Sequence, residues 1–197
     1  MDRTELKILD AAIKVFSSEG YKGATTRRIA QEADVSEVTL FRKFQSKENI
    51  LRTVIIKVRE EALQTLDLIA SMEKEADLRT GLLSLGRYIM KALSDNIDMV
   101  FLTLEEGRRK PEIAEITATI PQMAVARLSE YFDLQIKKGK MRSIDTRAAA
   151  LTFLGYPYCI LIFKRIHADE VLGISEKEFE AFIEIFAKGI ENSDNIN

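Results

Sequence analysis

The stretch Thr25-Thr26-Arg27-Arg28-Ile29-Ala30-Gln31-Glu32-Ala33-Asp34-Val35-Ser36-Glu37-Val38-Thr39-Leu40-Phe41-Arg42-Lys43-Phe44 reads as two short helices joined by a tight turn. Its apolar spacing predicts helices over about 26–33 and about 37–44. Asp34 tolerates the left-handed backbone such a turn needs, and Ser36 suits the N-cap of the second helix. Val35, Leu40 and Phe44 fall on one face of that helix, which leaves Glu37, Thr39, Arg42 and Lys43 outside. A preceding helix over about 4–18 carries Leu6, Leu9, Ile13 and Phe16 as its stripe, and Gly20 stops it. Three short helices with a tight second turn make a helix-turn-helix.

Charge agrees with that reading. Of the 197 residues, 29 are Lys or Arg and 31 are Asp or Glu, so the whole chain is slightly acidic. Residues 1–47 alone hold nine Lys or Arg against seven Asp or Glu. Arg27, Arg28, Arg42, Lys43 and Lys47 gather around the two helices, the footprint of a local phosphate-binding surface.

The run Gly20–Ala30 (GYKGATTRRIA), then Ala33-Asp34-Val35-Ser36, Thr39–Phe44 (TLFRKF) and Ser46-Lys47-Glu48, resembles the TetR family of transcriptional repressors over residues 4–51. The resemblance implies a homodimer, a DNA-binding head, and a helical body that takes a small ligand and sets the affinity for a palindromic operator. Two residues depart from the family pattern: Asp34 stands where glycine is usual, and Phe41 where tyrosine is usual. Phe41 has no hydroxyl for the phosphate contact that tyrosine commonly makes.

The DNA-contacting set is therefore expected to be Thr25, Thr26, Arg27, Arg28, Ser36, Glu37, Thr39, Phe41, Arg42, Lys43 and Lys47. Thr25, Thr26 and Lys47 sit at helix starts, where free N–H groups attract phosphate, and Lys47 looks like the family's phosphate-binding lysine. Arg42 or Lys43 is suited to guanine, Thr39 to a phosphate or thymine methyl, and Glu37 to cytosine.

The rest of the chain keeps helical spacing, which makes an all-α protein of about nine helices, with a DNA-binding domain over 1–47 and a ligand-binding and dimerisation domain over 48–197. A long helix from Ser46 carries Leu51, Val54, Ile55, Val58, Ala62, Leu66 and Ile69 on one face. Residues Ala148–Phe163 are apolar on nearly every side, and the last helix has a phenylalanine stripe. This pair is expected to form the dimer seam through Phe153, Ile160, Phe163, Phe179, Phe182 and Phe186, as the last two long helices do in the TetR family. Ile55, Leu83, Phe101, Ile120, Met123, Tyr156 and Cys159 are the candidate lining of a pocket for a small apolar ligand.

Other chemistries lack their residues. One cysteine and one histidine, Cys159 and His167, make neither a disulfide nor a zinc set, and leave no room for a nucleophile–base pair. Glu60-Glu61 and Glu105-Glu106 are adjacent pairs that diverge around a helix. No catalytic residue, metal or cofactor is expected. The N-terminus has no apolar signal core, and Ala148–Phe163 is shorter than the roughly 20 residues that span a bilayer, so a cytoplasmic protein without a membrane partner is expected. The competing reading, a helical scaffold or protein-interaction module, explains the body and leaves the basic turn unexplained.

Overall fold

The computed structural model describes residues 1–72, 77–165 and 175–192. Its helices are α1 (Arg3–Gly23), α2 (Thr26–Glu32), α3 (Glu37–Phe44), α4 (Lys47–Met72), α5 (Leu78–Asp95), α6 (Ile97–Gly107), α7 (Pro111–Lys137), α8 (Thr146–Arg165) and α9 (Glu176–Ile190). Among the described residues there is no strand, only an isolated bridge between Met141 and Glu191. The all-α expectation holds. His167, the tail beyond residue 192, and the side chains of Ala62, Leu66 and Ile69 lie outside what is described.

Local chemistry sets the helix ends. Asp2 caps α1, accepting from the N–H of Thr4 and of Glu5, while Glu5 accepts from the N–H of Asp2 at 2.9 Å. Gly20 breaks α1 with φ 68°, a conformation that costs glycine little, so a short turn carries the chain on to Gly23. Asp77 caps α5 through the Thr80 N–H at 3.0 Å. Asp145 accepts from the Ala148 N–H at 2.9 Å at the start of α8. Gly139 follows α7 with φ 72°.

The chain forms two compact units, Met1–Glu61 with Asp98–Ile120, and Ala62–Ile97 with Pro121–Asn197. This division differs from a boundary at residue 47, because α4 as far as Glu61, nearly all of α6 and α7 as far as Ile120 belong with the N-terminal helices. Ile8, Leu9, Ala12, Val15 and Phe16 of α1 pack in the first unit's core with Ile29, Leu40, Phe44, Ile50, Leu51, Val54, Met99, Leu102 and Ile113. The buried stripe of α1 thus runs through Ile8, Ala12 and Val15. Leu6 is exposed and Ile13 half-buried, because they fall at the edge of a face about 100° wide.

The second unit is an aromatic cluster inside α5, α7, α8 and α9. Phe153 lies 5.1 Å from Phe186 and 6.3 Å from Phe132 between ring centroids, and Tyr156 stacks on Phe182 at 4.3 Å. Gly86 lets α9 approach α5: a Cβ there would meet Phe179 Cζ at 2.8 Å. Thr146–Phe163 is long and apolar enough to cross a membrane, yet its inner side supplies Ala150, Phe153 and Leu154 to this core.

Candidate nucleic-acid interface

Three hydroxyl side chains and one backbone conformation build the turn. Thr25 Oγ1 caps α2 by accepting from the Arg28 N–H at 3.1 Å. Asp34 adopts φ 53°, and the Val35 N–H closes the turn on the Ala30 carbonyl at 3.0 Å. Ser36 Oγ accepts from the Thr39 N–H at 3.1 Å and lies 2.9 Å from Thr39 Oγ1. Thr26 Oγ1 donates to Glu37 at 2.7 Å, which ties the start of α2 to the start of α3. Leu40 and Phe44 are buried beneath, and Val35 is half-buried.

Several of the expected DNA contacts already have partners within the chain. Arg28 pairs with Glu19 at 3.1 Å and Glu32 at 3.3 Å. Lys43 is paired with Asp2 and Glu5 of α1. The Asp2 hydrogen bond, with Glu5 adding to it against some burial, raises the Lys43 pKa above the usual lysine value. Arg27 and Arg42 are exposed and make no ion pair among the described residues. Phe41 is 44% exposed, so its ring is not withdrawn into the core.

Lys47 is turned inward. Its Nζ donates to the Tyr21 carbonyl at 2.6 Å and the Ala24 carbonyl at 2.7 Å, and lies 4.3 Å from the Tyr21 ring centre. Burial, with the charge of Lys110 behind it, pulls the Lys47 pKa below that of a free lysine. Lys110 reaches the other residues of this cluster from the α6–α7 turn. It donates to the Tyr21 hydroxyl at 3.0 Å and pairs with Glu48. Burial works against its charge, but the hydrogen bonds to Glu48 and Tyr21 outweigh that and raise its pKa. Glu106, buried at 4% exposure, faces Arg109 at 3.5 Å and Lys110 at 4.0 Å. No local pattern announces this cluster, since its members lie far apart in the chain.

Residues 8–54 match the model for bacterial regulatory proteins of the tetR family, and residues 80–185 match the C-terminal domain of AefR-like transcriptional repressors. The chain belongs to the TetR family of transcriptional regulators. It is 26% identical over 191 residues to the HTH-type transcriptional regulator YvkB of Bacillus subtilis, covering 96% of this chain and 98% of YvkB. Over 60 residues it is 35% identical to UidR of Escherichia coli K12, 30% of this chain and 31% of UidR. A crystal structure from Mesorhizobium loti, assigned to the same family, shares the fold at TM-score 0.80 and 22% identity, covering 96% of this chain and 97% of its own. The family consists of regulators, not enzymes.

In this TetR-family body the expected seam is mostly interior. Phe153, Ile160, Phe179 and Phe186 are buried within one chain, and Phe163 and Phe182 are half-buried. Phe153, Phe179, Phe182 and Phe186 pack in the second unit's own core. Outside on α8 are Ala148, Leu151, Thr152, Gly155, Cys159 and Ile162, with Arg147 at its start, while α9 exposes Ala181 and Ile185 among Glu176, Lys177, Glu178, Glu180, Glu184 and Lys188. Leu151 is 52%, Ile162 49% and Ile185 74% exposed.

The expected pocket lining is also dispersed. Ile55 is core in the first unit, and Phe101 and Ile120 are half-buried there. Leu83 is half-buried in the second unit, while Met123 and Cys159 are exposed. Only Tyr156 of the seven lines a cavity of about 240 Å³ among the described residues of the second unit, together with Arg87, Met90, Ile160, Ser175, Glu176 and Phe179. Its hydroxyl is buried without a hydrogen-bond partner among the described residues. Burial raises the Tyr156 pKa, with nearby Glu178 adding to it.

Proposed function

We propose that this TetR-family regulator is a cytoplasmic homodimeric repressor that binds a palindromic operator and is released by a small, mainly apolar molecule. The observation that carries the reading is the outer face of α3. A capped, left-handed turn holds this helix, and Arg42 is exposed on it with no ion pair among the described residues. Arg27 lies exposed on α2 beside it. Such a helix enters the major groove while cations beside it meet phosphate. The exposed apolar stripe of α8 and α9 supports a second copy, and two heads suit two half-sites. Met90, Tyr156, Ile160 and Phe179 offer the ligand an apolar wall, with Arg87 and Glu176 at its polar end.

The test is selection of duplexes from random DNA with the full chain, followed by sedimentation of the complex. The expected result is an enriched inverted repeat holding two chains. Enrichment of an asymmetric site holding one chain would overturn the dimeric reading, and no enrichment would overturn DNA recognition itself.

A further inference from the structure

Val38 lies in the first turn of α3 at 78% exposure, and no large apolar side chain among the described residues is more exposed. Valine is a weaker helix former than alanine, and at this exposure it gains almost nothing from burial. Folding therefore does not account for it. Its neighbours one turn on are Phe41, 44% exposed, and Arg42. The other polar side chains of the same helix are occupied: Glu37 by Thr26, Thr39 by Ser36, and Lys43 by Asp2 and Glu5. What α3 presents without a partner among the described residues is an apolar pair beside one guanidinium.

We propose that Val38 reads thymine, its methyl groups packing on the 5-methyl group of one thymine in each half-site. Phe41 widens the apolar contact, and Arg42 anchors the same segment of duplex by hydrogen bonds. The occupant follows from chemistry. Every base edge in the major groove carries hydrogen-bonding atoms, and thymine alone adds a methyl group. A valine against a cytosine amino group or a guanine carbonyl would strip that group of water and return no hydrogen bond. Arg42 supplies the charge complementarity that brings this apolar patch to a polyanion. The inference rests on α3 being the DNA-reading helix, as proposed above.

The experiment uses the full chain and the duplex it selects from random DNA. Each thymine of one half-site is replaced in turn by deoxyuridine, which removes only the methyl group. Wild type is expected to lose about fourfold in affinity at one position, the equivalent of one buried methyl. In Val38→Ala that loss falls below about twofold, while Arg42→Ala retains it. Val38 is exposed and alanine is the better helix former, so Val38→Ala keeps or slightly raises the wild-type unfolding midpoint. If wild type binds the duplex and no thymine shows the loss, thymine reading by Val38 is wrong while DNA binding stands. Thymine reading by Val38 is equally wrong if Val38→Ala shows the loss undiminished. If wild type binds no duplex at all, both proposals fall together.

Discussion

Lys110 and Tyr21 are 89 positions apart in the chain, yet the lysine Nζ donates to the tyrosine hydroxyl at 3.0 Å and lies 4.2 Å from the ring centre. Lys47 Nζ lies 4.3 Å from the centre of the same ring. Tyr21 thus joins the α6–α7 turn to the C-terminal end of α1 and to the first residue of α4. Ammonium–ring contacts contribute roughly 0.5–2 kcal/mol each, more as they are shielded from water.

Lys110→Ala removes the contact with Tyr21 and the pairing with Glu48, and leaves buried Glu106 with Arg109 alone. Glu48 is well exposed, so the pairing is discounted for screening and the expected loss is about 1–3 kcal/mol. Tyr21→Phe removes only a hydrogen bond and should cost about 1 kcal/mol. Urea unfolding checks both. A Lys110→Ala midpoint equal to wild type would mean the cluster does not hold the first unit together.

Lys47→Ala tests a second role for a residue the sequence places on phosphate. Its Nζ satisfies the Tyr21 and Ala24 carbonyls, so the variant should lose about 1.5–3 kcal/mol of stability. Arg42→Ala should keep its stability and lose DNA affinity. A Lys47→Ala chain as stable as wild type but weaker on every duplex would return Lys47 to a phosphate-contacting role.

Ile185→Asp and Phe186→Asp separate surface from core. Ile185 is 74% exposed and Phe186 only 8%. Ile185→Asp should stay folded and sediment as a monomer. Phe186→Asp should lose about 3–5 kcal/mol, the scale of a deleted core phenylalanine, before any question of assembly arises. A dimeric Ile185→Asp would move the seam away from α9.

Asp77→Ala should lose about 1 kcal/mol, the worth of an N-cap. The effect carries a pH signature. Hydrogen bonds from the Thr80 side chain and N–H hold the Asp77 pKa below the usual carboxylate value. Folding therefore favours the ionised form. The gap between wild type and Asp77→Ala should be full above about pH 5, and shrink as pH falls below about 4, through the lowered pKa. Thermal melts across that range measure it, and a gap constant down to about pH 2 would rule out the carboxylate as its source.

What the sequence discloses here follows interaction distance. Thr25, Asp34 and Ser36 act within three to five residues, so their chemistry is visible in the string and the helix-turn-helix is readable from it. Lys43 bonds Asp2 from 41 positions away, and Lys110 bonds Glu48 from 62, so no local pattern marks either residue as occupied. α9 is ambiguous in the string for another reason. Phe179, Phe182, Ile183, Ile185, Phe186 and Ile190 cover more of its circumference than one face, and periodicity does not say which side meets the chain's own core. The phenylalanines turn inward and Ile185 stays out. Val38 gives no signal in the string, because an apolar residue among charges on an outer face means nothing until its exposure is known.

That the capped turn and α3 form a DNA-reading head is tested most directly by the affinity of the full chain for its selected duplex across a salt series, set beside Arg42→Ala. A DNA-reading head predicts log K falling linearly with log salt as phosphate counterions are released, and a weaker Arg42→Ala at every salt concentration. A salt-independent affinity, or an Arg42→Ala chain that binds like wild type, would contradict it.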